Sequence, residues 1–138
     1  MNRQEVLDFV KETPFCNMAT VEDGEPRVRG MMTAIVDERG LLFSTGTPKA
    51  VWQQILAQPK IELCYYNPEK QIQLRVRGEA KVVKDMDEKK AVVEKYPFLQ
   101  QAIDMGGYDI LSLCRIESGA TSTWTAADPM KPSEWETF

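Results

Sequence analysis

Apolar positions recur at helical spacing near the start of the chain, where Val6, Leu7 and Val10 share one side with Phe9 beside them. This spacing predicts a helix over residues 3 to 12, stopped by Pro14. From residue 15 the chain reads as a strand, ending near residue 22. Glu22-Asp23-Gly24-Glu25 follows, and Asp-Gly is a strong hairpin signal because its residues tolerate positive φ. The next strand is expected from Arg27 to Val36. Its Val28, Gly30, Met32, Ala34 and Val36 positions form an apolar side, read as the core face. Arg27, Arg29, Met31, Thr33 and Ile35 form a mixed side, read as facing away from the core. Asp37-Glu38-Arg39-Gly40 is a second turn and Leu41 to Thr45 a third strand, so the first half begins as an antiparallel meander.

The pattern then changes back to a helical one. Val51 with Ile55 and Trp52 with Leu56 make i,i+4 apolar pairs in a helix expected from Ala50 to Gln58. Thr47 is placed as its N-cap, Pro48 as its first residue, and Pro59 ends it. A fourth strand is expected over 60 to 66, with Asn67-Pro68-Glu69-Lys70 as its turn. Ile72 to Val83 reads as a fifth strand, with Ile72, Leu74 and Val76 on one face and Gln73, Arg75 and Arg77 on the other. Gly78 in its middle predicts a bulge or bend of the kind barrels use. A charged helix over Asp85 to Lys95, a shorter helical piece over Phe98 to Met105 and a sixth strand over Tyr108 to Glu117 complete the pattern. Residues 120 to 125 extend or pair with that strand, and the tail reads as an arm outside the core. Six strands with flanking helices make a small, mostly antiparallel barrel.

Composition narrows the chemistry more than the fold. The 138 residues include no histidine, which removes the Ser-His-Asp triad, histidine-ligated zinc and histidine-ligated haem. Any redox or group-transfer chemistry must come from other side chains or a bound cofactor. The net charge of −4 argues against nucleic-acid binding, which needs a basic stripe or balance. Cys16, Cys64 and Cys114 each sit among apolar neighbours and match no zinc or redox spacing, so they read as small buried thiols. The N-terminal residues lack the apolar run of a signal peptide, and no segment reaches the roughly 20 apolar residues of a membrane helix. A cytoplasmic protein with no membrane partner is the expectation.

Phe43-Ser44-Thr45-Gly46-Thr47-Pro48-Lys49 is the most informative stretch. A strand ends, a small polar loop follows and a helix begins, so the first helical amides point outward as unpaired donors. With the helix dipole, the Ser44 and Thr45 hydroxyls and Lys49, this junction is a candidate anion site, most naturally for phosphate. Arg27 and Arg29 lie on the neighbouring strand, where a guanidinium can reach the same anion. Gln73 carries a primary amide, which both donates and accepts and so suits the edge of a heteroaromatic ring. Trp124 and Trp135 read as packing residues.

Together with Ala19-Thr20-Val21, Gly24, Pro26, Arg29 with Phe43 downstream, Gln58-Pro59 and Gln73-Leu74-Arg75-Val76-Arg77-Gly78, these residues resemble the pyridoxamine 5'-phosphate oxidase-like family of FMN-binding split barrels. The resemblance implies one mostly β domain over residues 1–138: a six-stranded antiparallel Greek-key split barrel with flanking helices. It also implies a homodimer with FMN at the interface. Arg29 and Lys49 would then bind the phosphate, and the backbone from Gly30 through Met31 to Met32 would run along the flavin. Ser44 and Thr45 would meet the ribityl-phosphate region and Gln73 the ring system. The position five beyond Arg29, a flavin-contacting lysine in the oxidases, is Ala34, and the oxidases' longer C-terminal segment is missing. Pyridoxamine phosphate oxidation is therefore not the expected activity. The resemblance is closer to short relatives described as flavin reductases, nitroimidazole-resistance proteins or general stress proteins. The expected function is electron transfer from reduced FMN to a small planar acceptor, nitroaromatic or quinone-like. A non-catalytic flavin-binding or sensor module and a deazaflavin-binding relative stand as alternatives.

Overall fold

In the computed structural model, which describes residues 1–138, Asn2 starts the first helix by a reciprocal cap. Its side chain accepts from the Glu5 N–H while the Glu5 carboxylate accepts from the Asn2 N–H, at 2.9 and 2.7 Å. Helix α1 (Arg3–Glu12) buries Val6, Leu7, Phe9 and Val10, as its apolar spacing predicts. Strand β1 (Phe15–Glu22) pairs with β2 (Glu25–Met32) through a hairpin at Asp23-Gly24, both with positive φ.

The strand expected over 27 to 36 is two strands. It breaks at Thr33-Ala34 and resumes as β3 (Ile35–Asp37) in a different sheet. At the break the backbone changes partners. The Thr33 N–H bonds to the Pro14 carbonyl at 2.9 Å and the Ala34 N–H to the Leu42 carbonyl at 2.8 Å. Strand β4 (Gly40–Gly46) follows, then helix α2 (Ala50–Ala57) and strand β5 (Lys60–Asn67). The long strand expected over 72 to 83 divides in the same way, into β6 (Ile72–Glu79) and β7 (Lys81–Val83). The division falls at Ala80, whose N–H bonds to the Pro59 carbonyl at 2.8 Å, rather than at Gly78. Gly78 instead marks a close approach, since a Cβ there would lie 2.7 Å from the Ser118 carbonyl oxygen. Helices α3 (Met86–Lys95) and α4 (Gln100–Gly106) are joined by a 3₁₀ turn over Pro97–Leu99. A second 3₁₀ turn, Tyr108–Ile110, takes the first residues expected of the sixth strand, which starts three residues late as β8 (Leu111–Ile116). Strands β9 (Gly119–Thr125) and β10 (Glu136–Thr137) complete the chain.

The result is a mostly β, antiparallel split barrel with flanking helices, the barrel that the sequence pattern predicts in the split form that the resemblance implies. Its ten strand segments include the six expected ones, two of them divided where they pass between sheets. The larger sheet runs β10-β9-β6-β5-β1-β2 and the smaller β3-β4-β8-β7. The main core lies between them and takes Leu41 and Phe43 from one sheet with Leu63, Tyr65, Leu74 and Val76 from the other. A second cluster lies outside the small sheet, where Ala34, Leu42, Leu111 and Leu113 meet Val92 and Val93 of α3 and Ile103 of α4. Every residue of β8 is buried because both faces of the small sheet are covered. Outside it, Glu88 of α3 pairs with the buried Arg115 and also with Arg39, which holds Asp37 at 2.7 Å.

Two further expectations are corrected. The faces of β2 are the reverse of the hydrophobicity reading: Val28 is 70% exposed, whereas Met31 packs against the main core. Arg29 lies on that inward side because polar partners await it there. The tail is no free arm either. It returns as β10 against β9, Phe138 is buried in the main core, and the Arg3 guanidinium lies 4.9 Å from the Phe138 ring. No helix is long and apolar enough to cross a membrane.

Candidate functional site

The end of β4 and the start of α2 build one wall of a cavity of about 550 Å³. Ser44 and Thr45 close the strand, and the Lys49 N–H bonds to the Gly46 carbonyl at 3.0 Å to form the turn. The Thr47 N–H bonds to the Ile110 carbonyl at 2.9 Å, and the Ser112 hydroxyl donates to the Thr45 carbonyl at 3.1 Å. These contacts tie the loop to the small sheet and fix its position. The N-cap of α2 is Lys49 and not Thr47, so Pro48 precedes the helix, and no side chain caps it. The first α2 amides therefore keep the outward, uncapped state that receives an anion. The Lys49 side chain is exposed, lines the cavity and makes no hydrogen bond or ion pair within the chain.

A second wall is the last part of β2, Gly30, Met31 and Met32. This strand is an edge of the larger sheet, so alternate peptide groups are left unpaired. A Cβ at Gly30 would meet nothing within 4 Å, which leaves the backbone open to a flat group lying on it. The third wall comes from segments that no local sequence pattern places here: Tyr96, Phe98, Leu99, Ala102 and Ile103, with Ile110 and Leu111 behind. The arrangement can hold an anion at the Ser44–Lys49 end and an apolar ring system at the other. Its volume is within the roughly 300–1,000 Å³ of small-molecule and cofactor sites.

The structure brings Gly30, Met31, Met32, Ser44, Thr45 and Lys49 onto this one cavity and leaves Arg29 and Gln73 off it. Arg29 Nη1 donates to the Met18 carbonyl at 3.1 Å and to the Thr20 hydroxyl at 2.8 Å, and Nη2 donates to Gln54 Oε1 at 2.6 Å. The Thr20 hydroxyl in turn donates to Gln54 Oε1, and Gln54 Nε2 donates to Glu22. Arg29 thus joins β1, β2 and α2, and partial burial lowers its pKa by desolvation. No sequence signal singles out Gln54 or Thr20 as its partners. Gln73 lines a neighbouring hollow on the outer face of the larger sheet with Phe15, Asn17, Cys64 and Tyr66. Gly30, Met31 and Met32 border both spaces. Trp124 is paired in register with Gln73 and donates its indole N–H to the Pro129 carbonyl at 3.1 Å. The Trp135 ring covers Arg77 and Arg75, at 3.7 and 5.1 Å from their guanidinium carbons.

None of the three cysteines lines the cavity. Burial pushes Cys16 up to about 12, with the Tyr65 hydrogen bond opposing and Cys64 adding to the effect, and burial alone pushes Cys114 up to about 12. Cys64 is also raised, again chiefly by burial. At pH 8 all three are therefore expected to stay as thiols and react slowly. A thiol-specific disulfide reagent should titrate none quickly in native protein and all three in denaturant. Rapid labelling of Cys16 or Cys114 in the native state would contradict this. No group of three or more His, Cys, Asp or Glu side chains converges as a metal site.

The molecule is a split barrel whose apolar cavity, cationic at the Lys49 end, lies at the edge of its larger sheet and has the size of a small-molecule site. The family model described as Pyridoxamine 5'-phosphate oxidase matches residues 3–113, and the chain belongs to that family. A pyridoxine/pyridoxamine 5'-phosphate oxidase of Agrobacterium fabrum is 39% identical over 69 residues, which cover 49% of this chain and 34% of that protein. This chain thus matches about a third of the length of that curated relative. A NimC/NimA family protein from Clostridium acetobutylicum superposes with a TM-score of 0.81 at 22% identity, covering 100% of this chain and 94% of that one. An FAD-binding protein from Mesorhizobium loti superposes with a TM-score of 0.65 at 16% identity, covering 89% and 94%. Both likenesses are of fold.

Proposed function

We propose that this chain is an FMN-binding oxidoreductase that passes electrons from reduced flavin to a small planar acceptor in the cytoplasm. One observation carries the reading. The cavity has a single cation, Lys49, at a polar end made by Ser44, Thr45 and Gly46 beside the start of α2, and an open strand backbone at Gly30 leading away from it. A phosphate on a short polyol joined to a flat ring matches that order of surfaces, and membership of the family supports a flavin over other such molecules. When bound and reduced, FMN supplies a hydride, two electrons with one proton, and solvent supplies the second proton that takes a quinone to its hydroquinone. The residues of the chain do the rest. Lys49 and the loop hold the phosphate, and Arg29, through its bond to Gln54, fixes the helix that Lys49 caps. Met31 and Met32 shield the ring from water. The chain lines the cavity with no carboxylate, so no dedicated acid or base is assigned. The three free thiols support a reducing compartment.

The same proposal includes a homodimer with the cofactor at the interface. Phe15 and Val28 are each 70% exposed on the outer face of the larger sheet, with Tyr66 and Trp124 half-exposed beside them. Met32 lies opposite Phe15, and Gln73 lies between Tyr66 and Trp124 in register. This apolar band adjoins the cavity through Gly30–Met32, so a second copy seated on it would bring Gln73-side groups to the flavin.

Purified protein should be yellow, or become so with FMN, and heat should release FMN identified by mass spectrometry. Light scattering should give twice the 15.7 kDa of the chain. A colourless protein that takes up no FMN on titration rejects the cofactor, and uptake of a deazaflavin in its place reassigns it. Reoxidation of the bound flavin by no acceptor faster than free flavin rejects the enzyme and leaves a binding module.

A further inference from the structure

The third wall of the cavity is the part that the phosphate-binding account does not use. Tyr96, Phe98, Leu99, Ala102 and Ile103 come from the α3–α4 junction, outside both sheets, and present only apolar and aromatic surface. Phe98 is 73% exposed although it lines the cavity, and its ring meets Tyr96 edge to face at 6.3 Å and 64°. An aromatic held at a cavity mouth by another aromatic, with one face open, is a stacking surface.

The charges near this wall are already engaged. Lys95 Nζ and the Tyr96 hydroxyl both donate to the Ala34 carbonyl, at 2.9 and 2.8 Å. Lys89 Nζ donates to the Tyr108 carbonyl at 2.9 Å. Asp104 accepts from Gln100 on the outside of α4. Lys49, at the far end, is the one charged residue lining the space. A second anionic group stacked at the apolar end would cover part of its hydration shell and find no cation to pair with, whereas an uncharged ring pays neither cost.

We propose that the α3–α4 wall is a second binding site, for uncharged, planar aromatic molecules that stack on Phe98, and that it selects against anionic analogues. As the acceptor site, this deepens the flavin reading and rests on it; as a binding site it stands on the wall alone. The consequence for function is that acceptors are neutral ring compounds, and a substrate carrying its own phosphate is excluded.

The test is equilibrium dialysis of the full-length protein, with and without saturating FMN, against nitronaphthalene and nitronaphthalene sulfonate. FMN affinity is measured on the same preparations. Wild type should bind the neutral compound about tenfold or more tighter than the sulfonate. F98A should weaken the neutral compound about 5- to 10-fold, the loss of one stacked ring. F98R, at a side chain that is 73% exposed, should bring the two affinities together by favouring the sulfonate. Equal binding of both compounds by wild type overturns the proposal, as does an F98R variant with the wild-type preference. If FMN fails to bind while the Phe98-dependent preference persists, the flavin reading falls and the aromatic site stands.

Discussion

Replacing Gly119 by alanine is expected to cost about 3 kcal/mol or more of stability, at the upper end of overpacking effects. A Cβ at this position would lie 2.1 Å from the Arg77 carbonyl oxygen and 3.1 Å from the Gly78 Cα. Both obstacles are backbone, so the clash is relieved only by parting β6 from β9. These strands are paired from Ile72 opposite Thr125 to Gly78 opposite Gly119, and Gly119 also exchanges hydrogen bonds with Phe138. One methyl group therefore disturbs a ladder end and the seat of a buried aromatic together. The melting temperature should fall by about 10 °C, given the few degrees per kcal/mol usual at this size. Gly30→Ala is the control, because its Cβ meets nothing within 4 Å. It should melt like wild type, yet weaken the binding of any flat ligand laid along β2. A Gly119→Ala protein as stable as wild type would show that the two strands are not packed this closely.

The same pair of glycines shows where sequence reading succeeds and where it stops. Gly78 was legible as special because it interrupts a strict alternation. Its reason, the close pass of Ser118 and Gly119, lies some forty residues away along the chain and is invisible to a local pattern. The breaks at Thr33-Ala34 and Ala80 were hidden for a similar cause. Apolar alternation continues through both, and what turns the strand is a carbonyl, Pro14 or Pro59, that accepts its N–H from outside the ladder. The faces of β2 are not legible from hydrophobicity, because burial there does not follow it. Val28 is apolar and exposed, while Arg29 is turned inward to Thr20 and Gln54. The anion loop was legible because its parts, Ser44 to Lys49, are contiguous. The aromatic wall was not, since residues 96 to 103 meet β2 only through tertiary packing.

Lys49→Ala should weaken FMN binding by ~1.5–3 kcal/mol, the range for hydrogen bonds to charged groups. That is a loss of about 10- to 150-fold. Riboflavin, which lacks the phosphate, should bind Lys49→Ala and wild type alike, so the preference for FMN over riboflavin collapses with the lysine. Stability should not change, because Lys49 is exposed and holds no partner in the chain. Arg29→Ala provides the contrast. It should weaken FMN less, acting only through the helix that carries Gln54, and it should also lower stability by about 1–3 kcal/mol, because its removal strips donors from buried Thr20 and Gln54. The two variants are separated by melting and by titration: affinity alone falls in one, affinity and stability fall in the other. Raising the salt concentration should weaken FMN binding to wild type and leave Lys49→Ala less affected, since an exposed ion contact is screened. If both variants keep wild-type affinity for FMN, the phosphate does not sit between Ser44 and the start of α2.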